Sequence, residues 1–107
     1  MTTPLPPIDF QSFIASFAAG AGATLEHVRE LVSSKQDEAP AEGEPSKAEE
    51  IQNGLLTARH LIDTLVMLEG KTKGNLTDAE QKLLQGALAD LRMSYVKTQG
   101  MVGTQGA

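Results

Sequence analysis

Apolar residues recur at intervals of three and four over two long stretches in the second half of the chain. The first stretch follows Ser46-Lys-Ala-Glu49, which has the form of a capping box, a serine and a glutamate that together cap the first turn of a helix. The second stretch follows Thr77-Asp-Ala-Glu80, which has the same form. The apolar residues with this spacing are Ile51, Leu55, Ala58, Ile62 and Leu65 in the first stretch, and Leu84, Leu88, Leu91 and Tyr95 in the second. This period is typical of amphipathic helices that bury one face.

A short turn, Lys71–Thr77, separates the two stretches. Gly74 suits the left-handed conformation that follows a helix end. Because a connection this short forces neighbouring helices to run antiparallel, we expect residues 46–97 to form a helical hairpin. No run of β-branched residues alternates along the chain, so the sequence predicts an all-α fold of three long helices.

The N-terminal third predicts the other helix, from about Phe10 to Ser33, with Asp9 as its cap. Apolar residues keep a heptad spacing straight through Gly20 and Gly22, so we predict one helix, with a break at Gly20 as the alternative. Each glycine costs a helix about 1 kcal/mol relative to alanine. We expect the close approach of another backbone at these glycines to offset that cost.

The remaining segments are predicted to lie outside the helices. Residues 1–8 are rich in proline, residues 34–45 are rich in acidic residues with proline and glycine, and residues 98–107 are rich in glycine. Such compositions are typical of segments without a packed core. We therefore predict a single domain with a disordered N-terminus, helix 1 at residues 9–33, an acidic flexible linker, the hairpin and a disordered tail.

Two helices alone leave much of each apolar face in water, so another helix must cover it. That helix belongs either to the same chain or to a second copy. The first helix carries three phenylalanines and a run of small residues, and the long linker permits exchange between chains, so we predict a homodimer. The residues expected at this self-association surface are Phe10, Phe13, Ile14, Phe17, Ala18, Ala21 and Leu25.

Composition and charge disfavour several classes of protein. The net charge of −5 argues against nucleic acid as the main partner, because that binding depends on neutralising phosphates. The chain has no cysteine, which excludes disulfides and thiolate metal sites. The first residues lack the basic and apolar regions of a signal peptide, and no stretch approaches the ~18 apolar residues of a membrane span. We expect a cytoplasmic protein with no membrane contact.

No set of residues suggests catalysis or metal binding. His27 and His60 each lack the glutamate three residues earlier that is found in metal sites of helical bundles. No arrangement of serine, histidine and aspartate indicates a nucleophile. We therefore expect no enzyme activity, no cofactor and no metal. Arg59 and Asp63 are spaced for an ion pair, and we expect Asp90 to lie near Arg59 across the hairpin.

A few residues outside the apolar faces are candidates for an interaction surface. Methionines that lie off a buried face suit binding to varied partners, because the side chain is flexible and polarizable. Lysines in the turn suit the negative end of the preceding helix dipole or an acidic partner. The candidate interaction residues are Met67, Met93, Lys71, Lys73 and Asn75.

The turn and its flanks resemble a known bacterial family. The segment Ile62–Glu80, which contains Lys71-Thr-Lys-Gly-Asn-Leu-Thr77, and the segment Asp90–Val96 are similar to the family catalogued as domain of unknown function 1844. Phe10–Ala19 resembles that family more loosely, and Gly20–Lys47 departs from it. The resemblance implies a helical protein of the bacterial cytoplasm, and it implies no catalytic residue and no substrate.

These observations favour a non-enzymatic interaction or scaffold protein that presents a helical face, or the Lys71–Thr77 turn, to an unidentified protein partner. One alternative is a helical bundle that binds a small ligand or a metal in a polar cavity between helices. A second alternative is a factor that binds an anion, RNA or an acidic partner through the turn.

Overall fold

Three α-helices make up the protein: α1 (Phe10–Ser33), α2 (Lys47–Lys71) and α3 (Asp78–Gln105). The computed structural model describes residues 4–5, 7–34 and 41–105, and the side chains of this part as far as residue 103. No strand occurs within these residues. The three helices pack against one another as a bundle, which confirms the predicted all-α fold.

Side-chain caps fix the start of each helix at the predicted residue. The Ser12 N–H donates to Asp9 Oδ1 at 2.7 Å, which starts α1. At α2 the Glu49 N–H donates to Ser46 Oγ at 3.2 Å, and the Ser46 N–H donates back to Glu49 Oε1 at 3.5 Å. These bonds satisfy amide groups that the helix itself leaves without acceptors. The sequence therefore determines locally where the helices begin.

The core consists of two clusters stacked along the bundle. One lies nearer the turn between α2 and α3, and the other lies nearer the linker between α1 and α2. The buried residues of the turn-side cluster are Ile14, Ala21, Ile62, Leu65, Leu84, Leu88 and Leu91, and those of the linker-side cluster are Leu25, Val28, Val32, Leu55 and Ala58. Each cluster contains residues of α1, so α1 of the same chain covers the hairpin.

In this packing most of the residues predicted for self-association lie against the chain's own hairpin. Ile14, Ala21 and Leu25 are completely buried in the chain's own core, so they are not surface residues in this fold. Phe17 and Ala18 are partly buried and pack against the turn-side cluster, as does Phe10. Among the seven predicted residues Phe13 is the most exposed, at 51%. The apolar face that the sequence offers to a second copy is occupied within one chain.

The last helix extends further than the sequence predicted. Residues 98–105 were expected in a disordered tail, but α3 continues to Gln105 through Gly100 and Gly103. Thr98 is completely buried, and Met101 and Val102 pack against the linker-side cluster. Packing of these side chains outweighs the cost of about 1 kcal/mol that each glycine brings to a helix.

The outer segments are described in part. Residues 4–5, 7–8 and 41–45 lie outside the helices, as predicted. Residues 1–3, 6, 35–40 and 106–107, which the sequence assigned to the N-terminus, the linker and the tail, lie outside the described part of the chain.

Helix α1 is continuous through Gly20 and Gly22, but no close approach occurs there. A Cβ added at either glycine would meet no neighbouring atom within 4 Å. The expected tight contact lies instead at Gly54 of α2, where an added Cβ would overlap Cγ2 of Val28. Gly54 therefore allows α1 and α2 to approach at the linker-side cluster.

We expect Gly54→Ala to lower the free energy of unfolding by about 1–3 kcal/mol, measured by urea denaturation. Alanine improves helix propensity by about 1 kcal/mol, but the new methyl group overlaps the buried Val28 side chain. Gly86→Ala on α3 is the matched control, because an added Cβ there meets nothing within 4 Å. A gain of stability at both positions would contradict the overlap, and Val28→Ala should relieve it in the double variant.

Candidate functional site

Two separate depressions lie between α2 and α3, and none of the residues that line them belongs to α1. The turn-side depression, of about 450 Å³, has Leu84 and Leu76 as apolar lining and Glu69, Lys73, Gln81 and Gln85 as polar lining. The second depression, of about 190 Å³, is lined by Arg59, Ile62, Asp63, Arg92, Tyr95 and Val96. We call this surface the α2–α3 groove.

The depressions also give the order of residues along the two helices. Val66 shares the turn-side depression with Gln85, whereas the earlier residue Arg59 shares the second depression with the later residue Val96. This is the order that antiparallel neighbours have.

The charges of the second depression are incompletely paired. Arg59 Nε lies 3.9 Å from Asp63 Oδ2, and both side chains are more than two-thirds exposed, so the predicted pair is weak. Within the described part of the chain, no carboxylate oxygen lies within 4.0 Å of the Arg92 guanidinium. Asp90, expected near Arg59, instead lines a groove between α1 and α3. Arg92 therefore has charge available for a partner.

The turn is held by its own hydrogen bonds. The Thr72 N–H and hydroxyl both donate to the Leu68 carbonyl, at 2.9 Å and 2.6 Å, and Gly74 adopts the expected positive φ of 87°. The Glu80 N–H donates to Thr77 Oγ1 at 3.1 Å, and the Thr77 N–H donates to Glu80 Oε1 at 2.8 Å. These N–H groups at the start of α3 are thus already engaged, which weakens the case for an anion at this helix end.

The turn residues singled out from the sequence separate into two sets. Lys73 lines the turn-side depression, beside Glu69. Lys71, at the end of α2, and Asn75 are exposed at the turn and do not line the α2–α3 groove.

Exposed apolar side chains occur on the two helices that form the α2–α3 groove. Met67 and Met93 are 49% and 72% exposed, as the sequence predicted. Neither methionine lines the groove, because each is the neighbour in sequence of a lining residue, Val66 or Arg92, and successive residues of a helix point about 100° apart. Val96, which the sequence analysis missed, is 66% exposed and lines the second depression. Its position four residues after Arg92, on the same side of a helix, is the pattern that would have indicated it.

A polar cluster joins α1 to α3 elsewhere in the bundle. Arg29 Nη1 donates to Ser94 Oγ and to Thr98 Oγ1, at 3.0 Å each. The Thr98 hydroxyl donates in turn to the Ser94 carbonyl at 2.8 Å, and Thr98 is completely buried. These hydrogen bonds all join groups of the protein itself, so the cluster serves to fix the two helices.

We expect Thr98→Val to lower the free energy of unfolding by about 1–2 kcal/mol, because the partly buried Arg29 loses a hydrogen-bond acceptor while the volume is unchanged. Thr64→Val is the matched control. The Thr64 hydroxyl donates to the His60 carbonyl of its own helix at 2.8 Å in an exposed position, so its loss should cost less than about 0.5 kcal/mol. Equal losses in urea denaturation would show that the contact with Arg29 contributes nothing.

Two further observations concern metals and membranes. In the part of the chain that the structure describes, no three histidine, aspartate or glutamate side chains are grouped so as to hold a metal ion. None of the helices there combines the length and the apolar character needed to cross a bilayer.

A family model described as domain of unknown function (DUF1844) matches residues 7–97, which include α1, α2 and most of α3. No curated protein and no solved structure matches the chain.

Proposed function

The chain belongs to the family of the domain of unknown function DUF1844, and from this premise we propose a non-enzymatic interaction protein of the bacterial cytoplasm that binds another protein through its α2–α3 groove. The exposed apolar side chains at this groove carry the proposal. The apolar residues of the core are already buried within the chain, so these side chains are not needed to complete the bundle. Apolar side chains grouped on a surface are a feature of protein-binding sites.

The test is affinity purification from the native cell with a Met67→Ala/Met93→Ala double variant. Both side chains are exposed, so the fold should be retained, and truncating them removes exposed apolar area from the two helices that form the groove. We expect the recovered partner to fall at least tenfold. Phe13→Ala is the control, because Phe13 is an exposed apolar residue of α1 away from the groove. Unchanged recovery with the double variant would contradict the proposal.

Self-association remains a second proposal, in the exchanged form that the long linker permits. Because α1 contributes to both core clusters, a homodimer would have to exchange α1 between chains across the 34–45 linker. Sedimentation equilibrium at tens of micromolar protein tests this arrangement, and a monomer at that concentration would remove it.

The turn-side depression supports a small-ligand alternative. Its volume of about 450 Å³ lies in the usual range of ligand pockets, and it combines apolar lining with Glu69, Lys73 and two glutamines. Native mass spectrometry of protein purified from its own cell tests this alternative, since a bound ligand or metal adds its mass to that of the chain.

Lys71 and Lys73 support the other alternative, an anion, RNA or acidic partner at the turn. Binding of this kind depends on charge. It should weaken steeply as the salt concentration rises, and also when both lysines are replaced by acidic residues.

A further inference from the structure

No further inference is drawn: the strongest candidate, the apolar groove between α1 and α3 whose lining includes Ala15, Ala18, Ala19, Leu83, Gly86 and Ala87, is for the most part a stripe of small side chains, and nothing in the structure shows what covers it.

Discussion

Replacing Leu65 by alanine is expected to lower the free energy of unfolding by about 3–5 kcal/mol. Leu65 is completely buried in the turn-side cluster, where all three helices contribute side chains. Removal of its branched end leaves a cavity that surrounding residues fill only in part, so the loss includes both transfer and cavity terms. Urea denaturation followed by far-UV circular dichroism measures the change.

Leu56→Ala is the control with the same chemical change on the same helix. Leu56 is 64% exposed, so its truncation should cost less than about 0.5 kcal/mol. A small loss at Leu65, or similar losses at the two leucines, would mean that the turn-side cluster is not the core of the protein in solution.

Deleting residues 98–107 is expected to lower the free energy of unfolding by about 2–4 kcal/mol. The deletion removes the buried Thr98 together with Met101 and Val102, which pack against the linker-side cluster. Leu25 and Val28 then lose part of their cover, and Arg29 loses one of its two hydroxyl acceptors. Thermal and urea denaturation should both show the loss.

Deletion after Gly103 is the matched control for that truncation. It keeps the described residues of α3 that pack against the linker-side cluster and removes only the helix end, so stability should change by less than about 0.5 kcal/mol. If the longer deletion is also neutral, the chain beyond Lys97 behaves as the disordered tail that its glycines suggested.

Local sequence determines most of the helix boundaries. Asp9, Ser46 and Thr77 are followed three residues later by the N–H that each side chain accepts, so the starts can be read without knowledge of the fold. The C-terminal end of α3 cannot be read in this way. It depends on burial of Thr98 by α1, a contact between residues 69 positions apart.

Periodicity identifies the apolar faces but not what covers them. Ile14 and Leu25 have the same spacing whether α1 packs within one chain or against a second copy, so the sequence left both arrangements open. The sequence likewise predicted that a glycine allows α1 to approach another helix closely. It placed that glycine at Gly20 or Gly22 of α1, whereas the close contact occurs at Gly54 of α2. Gly20 and Gly22 stand in the apolar pattern, whereas Gly54 is identified only by the position of Val28.

The candidate site could be predicted in part. Exposure of Met67 and Met93 follows from their positions off the apolar faces, and the structure agrees. The groove itself requires the separation of α2 from α3, which no spacing within one helix reports. Val66 illustrates why the sequence alone does not reveal the groove. Its position widens the apolar face of α2, yet its side chain is 37% exposed at the groove.

The Lys47 ammonium donates to the Ser34 carbonyl and so ties the end of α1 to the start of α2. Chain inserted between these residues lengthens a loop whose two ends are already held together, at an entropic cost of only about 0.6 kcal/mol for each doubling of loop length. Gly43, in the turn just before α2, is therefore a suitable place for an epitope or a fluorescent reporter. A label there would leave both chain termini native and would lie outside the residues that line the α2–α3 groove.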